Sequence, residues 1–118
     1  MVLDDDEIAL HAASKVLSDM GLEPISMGDS IEALKYCKKK TPDILILDIM
    51  MPKMDGIEFL RELRATQGGN RAYVIACSAR NDEVTVNKMT KLGVNDYILK
   101  PFDPKMLELK IISSGRLD

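Results

Sequence analysis

Apolar residues in this chain gather into short continuous runs, separated by longer stretches in which they recur at helical spacing. Asp43-Ile-Leu-Ile-Leu-Asp48 is the clearest run. Four consecutive large aliphatic residues predict a strand covered on both faces, because a strand with one wet face would alternate. Ala72-Tyr-Val-Ile-Ala-Cys77 predicts a second strand of the same kind. The runs at 95–99 and 23–27 are weaker. Pro24 places the latter at a strand start or a sheet edge, since proline cannot donate to a ladder. Met1-Val-Leu3 predicts a first strand just before three acids.

The intervening stretches predict helices over 8–20, closed by Gly21, and over 30–40, with Ser30 as the cap and Thr41-Pro42 as the stop. A third spans 56–66, with apolar positions at Ile57, Phe59, Leu60 and Leu63, and Gly68-Gly69 breaks it. Asn81 or Asp82 caps a fourth that Gly93 ends near Leu92. Asp103-Pro104 opens the last, where the missing proline N–H costs nothing. Each gap between strands therefore holds a helix rather than a tight turn. That alternation predicts an α/β fold: a doubly wound, five-stranded parallel sheet with right-handed crossovers and helices on both faces. One domain is expected over residues 1–113, with Ser113-Ser-Gly115 opening a linker or C-terminal tail over 114–118.

Composition narrows the class. A net charge of −3 argues against direct nucleic-acid binding by this domain, because phosphate backbones need clustered Lys and Arg. No apolar run nears the ~20 residues of a membrane span, and no basic-then-apolar leader opens the chain. Cys37 and Cys77 are expected to be two packed thiols in a reducing, cytoplasmic setting. His11 is read as an ordinary helix residue, Lys38-Lys39-Lys40 as a favourable helix end, and the eight methionines as core filler and rim.

In an open parallel sheet, ligands bind at the carboxyl ends of the strands. Asp4, Asp5 and Asp6 follow the first strand, Asp48 ends the third, Ser78 follows the fourth, and Lys100-Pro101 follows the fifth. Clustered carboxylates repel one another unless a cation neutralises them. Mg²⁺ suits a site of one or two carboxylates, several waters and a phosphate. Lys100 and the Ser78 hydroxyl remain as donors to phosphate oxygens. Asp48 is then a candidate nucleophile towards phosphorus, since phosphoryl transfer asks mainly for positioning and charge neutralisation.

Asp4-Asp5, then Leu-Asp48-Ile-Met-Met-Pro-Lys-Met-Asp-Gly, then Ser78-Ala79, then Lys100-Pro101-Phe102 resembles the bacterial response-regulator receiver family over nearly the whole chain. The resemblance implies the flavodoxin-like strand order 2-1-3-4-5. It implies that Asp48 is the phosphorylation site and that Asp5 ligates Mg²⁺ directly. Asp4 would act through water, and the Met50 carbonyl would complete the metal site with Asp48. Ser78 and Lys100 would contact the phosphoryl group, Lys100-Pro101 would be cis, and Ser78 and Tyr97 would form the switch, with an exposed Tyr97 ring turning inward. The implied donor is a histidine kinase or a phosphotransfer protein. The implied output surface, near 82–92 and 103–112, would serve a fused output domain, a homodimer or another partner. Met50 and Arg80, at positions that tune phosphate lifetime in the family, supply no acid or amide to orient water and imply slow self-dephosphorylation. An aspartate-nucleophile phosphatase is the competing class. It would carry a second acid two residues after Asp48 as general acid/base, where Met50 stands. A signalling switch rather than a turnover enzyme is therefore expected.

Overall fold

The computed structural model describes residues 1–51, 53–79 and 82–117. Five strands, β1 (Val2–Leu3), β2 (Ser26–Met27), β3 (Ile44–Asp48), β4 (Tyr73–Ser78) and β5 (Asp96–Leu99), form one sheet in the order β2-β1-β3-β4-β5. Every pairing is parallel. Five helices connect and follow them: α1 (Glu7–Asp19), α2 (Ser30–Lys39), α3 (Gly56–Ala65), α4 (Glu83–Lys91) and α5 (Pro104–Ser113). The α/β class, the parallel sheet and the strand order all stand as expected.

Strand alternation builds two cores from one sheet. Leu45, Leu47, Val74 and Ala76 pack on one face with Ala33, Leu34, Phe59, Leu60, Leu63 and Met89. Ile44, Ile46, Ile75 and Cys77 pack on the other with Val16, Leu17, Leu107 and Ile111. This is why β3 is apolar throughout. Each fully buried Leu or Ile contributes ~1.5–3 kcal/mol relative to exposure. β1 has only two residues, yet both are buried between β2 and β3, and the Met1 nitrogen continues its ladder to the Ile44 carbonyl at 2.8 Å. Pro24 does lie beside the edge strand.

Local chemistry departs from expectation at three places, and Leu117 adds a contact after α5. Asp29, not Ser30, caps α2, accepting from the amides of Ile31 and Glu32 at 2.9 and 3.2 Å. A carboxylate there reaches two orphan amides and also favours the helix dipole, while Ser30 becomes a buried first helical residue. Only Ser26 and Met27 pair as strand, two residues beyond Pro24. A 3₁₀ turn, Gly69–Arg71, follows the predicted Gly68-Gly69 break. The segment after α5 keeps a foothold, since Leu117 packs against the core. Both cysteines are free and buried, and His11 is exposed. Among the described residues, no helix is long and apolar enough to cross a membrane. Pro52, Arg80, Asn81 and Asp118, which carried part of the predicted turns, α4 cap, phosphate-lifetime position and tail, lie outside the described residues.

Candidate functional site

Parallel strands put all five carboxyl ends on one rim, and each of the five α-helices starts there. Asp6, Asp29, Asp55, Asp82 and Asp103 each cap one. The central strands β1 and β3 deliver Asp4 and Asp48 to the middle of that rim, next to the point where the chain order reverses. Asp48 is the last residue of β3 and only 4% exposed. Gly56 explains how α3 can begin so close by. A Cβ there would overlap the Asp48 carbonyl oxygen and the Ile49 Cα, so only glycine lets its amide donate to the Ile49 carbonyl at 2.9 Å. The sequence marks this position as an Asp-Gly helix start but does not reveal the close approach.

Asp4, Asp5 and Asp48 each present a carboxylate oxygen within 4.8 Å of the others. Asp4 and Asp48 are buried, and Asp5 is exposed. Lys100 reaches into the group, 2.7 Å from Asp4 Oδ2 and 3.4 Å from Asp48 Oδ1. The Asp4 carboxylate also accepts from the Asp6 amide at 2.9 Å, and Asp48 accepts from the Met50 amide at 3.3 Å. Burial, reinforced by the neighbouring Asp4, raises the Asp48 carboxyl to about 7, against the opposing pull of Lys100 and the Met50 amide. Burial also works against the Lys100 charge, but its hydrogen bond to Asp4 and the field of both carboxylates prevail, and its pKa rises. Cys77, one residue before Ser78, is pushed up to about 12, chiefly by burial, and stays a neutral thiol at ordinary pH.

One ammonium among three carboxylates leaves negative charge uncompensated, and the Asp4 charge adds to the burial that raises the Asp48 pKa. Oxygen donors alone, partly buried and with one exposed member, fit a hard divalent cation. Ser78 is fully buried at the end of β4, and its carbonyl accepts from the Lys100 amide at 2.9 Å. That bond holds the β4 and β5 ends in register beneath the site. The Lys100-Pro101 peptide is cis. Met50 is 55% exposed, at the mouth of the site.

Asp4, Asp5, Asp48, Ser78 and Lys100 thus meet on the predicted rim. Tyr97 differs from expectation. Its ring is half-buried and packs against the core that holds Met89, and its hydroxyl is shielded from solvent. The ring therefore does not start out exposed. Sequence reasoning also missed Lys53, which adopts φ 64° in the β3–α3 loop and reaches Asp29 at 3.5 Å, tying two rim loops together. Its signal was faint: a lysine in a Pro-Lys-Met-Asp-Gly turn.

The sequence profile of the response regulator receiver domain matches residues 1–112. The probable transcriptional regulator ycf27 of Porphyridium aerugineum is 38% identical over 113 residues, covering 96% of this chain and 46% of that protein. The DNA-binding response regulator MtrA of Mycobacterium tuberculosis is 35% identical over 111 residues, covering 94% of this chain and 47% of that protein. The crystal structure of the receiver domain of NtrX from Brucella abortus superposes with a TM-score of 0.87 at 26% identity, over 99% of this chain and 98% of that one. The chain spans slightly less than half the length of these two curated relatives.

Proposed function

This chain belongs to the response regulator receiver domain family, and on that premise we propose that it accepts a phosphoryl group on Asp48 from a phosphohistidine and is read by a partner, rather than turning over substrate as an enzyme. The observation that carries this reading is the buried Asp48 carboxylate with the Lys100 ammonium at 3.4 Å and the carboxylates of Asp4 and Asp5 grouped beside it. The Asp48 oxygen attacks phosphorus and forms an acyl phosphate, while the histidine nitrogen of the donor leaves with the electron pair of the broken P–N bond. Lys100 places a positive charge beside the phosphoryl oxygens, and the Ser78 hydroxyl donates to one of them. Asp4, Asp5 and Asp48, with the Met50 carbonyl, would hold Mg²⁺, which supplies neutralisation of charge on the carboxylates and the transferring group.

The donor is a histidine kinase or a phosphotransfer protein. The surface that answers to phosphorylation is α4, β5 and α5, through Ser78 and Tyr97. It acts on a fused output domain, a homodimer partner or a separate protein; transcriptional regulation, given in the name of one relative, and DNA binding, given in the name of another, make a DNA-binding output the class we favour. The modification adds about −1.5 to −2 charge and three strong acceptors. Each tenfold bias between two states of the output face needs ~1.4 kcal/mol of differential contact. Residues 1–113 act as the receiver unit, and the domain works in the cytoplasm. Without an acid or amide at Met50 to orient water, the acyl phosphate is lost slowly. Fluorine NMR with beryllofluoride tests the site. A bound-fluoride signal that needs Mg²⁺ and disappears in Asp48→Asn is expected, and an undiminished signal in Asp48→Asn overturns the assignment.

A further inference from the structure

The pole of the molecule opposite the site carries a cross-brace that the phosphoryl chemistry does not touch. Arg64, in the last turn of α3, donates from Nη1 to the carbonyls of Gly69 and Ala72, both at 2.8 Å. From Nη2 it donates to the Gly93 carbonyl at 2.6 Å and to Asn95 Oδ1 at 3.1 Å. One guanidinium thereby joins the end of α3, the 3₁₀ turn, the entry to β4 and the junction from α4 to β5. Asn95 extends the brace, because its Oδ1 also accepts from the Val74 amide at 2.8 Å and its own amide donates to the Val74 carbonyl at 2.9 Å. Both ends of the brace are firm. Leu63, beside Arg64, is fully buried, and so is Val74. Gly93 takes φ 82° to close α4, and the Val94 amide returns to the Met89 carbonyl at 3.1 Å. A planar fork with fixed donors suits this four-acceptor arrangement, and a lysine could not reproduce it.

α4 itself is thinly seated. Only Thr85 and Met89 of its nine residues are buried, and the Thr85 hydroxyl is bonded to the Asp82 carboxylate of the helix's own cap, at 2.9 and 3.0 Å. Met89 lies in the half of the helix nearer Arg64. We infer that Arg64 is the fixed point of α4: the helix is held at its C-terminal end by the α3 frame and responds by swinging about that end, with displacement greatest where it follows the Ser78 strand end. Nine residues make a lever of ~13 Å, so a tilt of roughly 10° moves its start by about 2 Å and its end hardly at all. Arg64 is then a positioning residue. It converts a change at the rim into a directed tilt instead of a loosening of the whole helix. This rests on the proposed phosphorylation switch only for what drives the tilt; the brace stands without it.

Residue-resolved hydrogen exchange tests both parts. Without any phosphoryl mimic, Arg64→Met keeps the aliphatic stem and removes the fork. Exchange at the amides of Val74, Leu92, Val94 and Asn95 is expected to quicken by roughly tenfold or more, the loss of bonds to a charged donor being felt locally. Exchange in β3 should stay unchanged. Unaltered protection at those four amides overturns the inference. Should Arg64→Met fail to fold, Arg64→Lys asks the same question with charge and stem retained, and a smaller increase at the same amides is expected. In the wild type with Mg²⁺ and beryllofluoride, the change in protection at 85–88 should exceed that at 92–95, and Arg64→Met should erase the difference. A bound-fluoride signal accompanied by equal changes at both ends overturns the pivot. Absence of that signal counts against the phospho-acceptor reading, while the first comparison still decides the brace.

Discussion

α3 and α4 lie on the same face of the sheet and are nearly equal in length, yet they are built for different work. α3 buries Gly56, Phe59, Leu60 and Leu63, with both ends committed: Gly56 against the end of β3, Arg64 across to the α4–β5 junction. α4 buries two residues and leaves Val84 63% exposed. The difference separates the frame that holds Asp48 in place from the element that, on the proposed switch, moves when Asp48 changes charge. Local stability in proteins is uneven for this reason, and moving parts are drawn from its low end.

The sharpest way to break the comparison is through the buried face of α3. Phe59→Ala should cost about 3–5 kcal/mol in urea unfolding, a large part of the ~5–15 kcal/mol typical of a domain. Gly56→Ala attacks the frame at the site itself. Backbone overlap with Asp48 and Ile49 should displace the Asp48 carboxylate, so loss of Mg²⁺ binding is expected to accompany a clear fall in melting temperature. A variant with wild-type Mg²⁺ binding would show that α3 does not position Asp48.

The metal comes next. Binding to the native state alone stabilises by ~2.7 kcal/mol at 100 times the dissociation constant. The Mg²⁺-dependent rise in melting temperature should be largely lost in Asp5→Asn and kept in Asp6→Asn, whose carboxylate serves the α1 cap. Equal losses would misplace the acidic pair. A further effect at the same carboxylates concerns pH. The folded-state pKa of Asp48 is raised, so the folded protein binds this proton more tightly than the unfolded chain does. In EDTA that contribution is fully present below about pH 4 and is lost as pH rises through about 7. Thermal melts should fall across that window, and Asp48→Asn should flatten the fall. At the low end, Val84→Ala on α4 should change stability by no more than ~0.5 kcal/mol.

Much of this contrast is legible in the residues, and all but one of the exceptions share one cause. β3 and β4 fall within a residue of their expected bounds, because burial on both faces writes itself into the sequence as an unbroken aliphatic run. The rim is equally legible. Once strands alternate with helices, the residue after each strand must lie at the carboxyl edge, and Asp4, Asp48, Ser78 and Lys100 all do. What escapes the sequence depends on neighbours distant in the chain. The Arg64 fork meets acceptors up to 31 positions away. Gly56 matters for where the end of β3 lies, and Tyr97 packs inward against a core assembled from distant parts of the chain. The cap at Asp29 rather than Ser30 is a local choice between two competent caps, and the doubly accepting carboxylate prevails.

The most direct measurement is a map of the phosphorylated residue. The protein would be incubated with Mg²⁺ and a small-molecule phosphodonor, the acyl phosphate trapped by borohydride reduction, and the product located by mass spectrometry. A single reduced residue at Asp48, absent when Mg²⁺ is chelated, is the expected result. Trapping at Asp4 or Asp5, or full labelling of Asp48→Asn, would contradict the assignment of Asp48 as the acceptor.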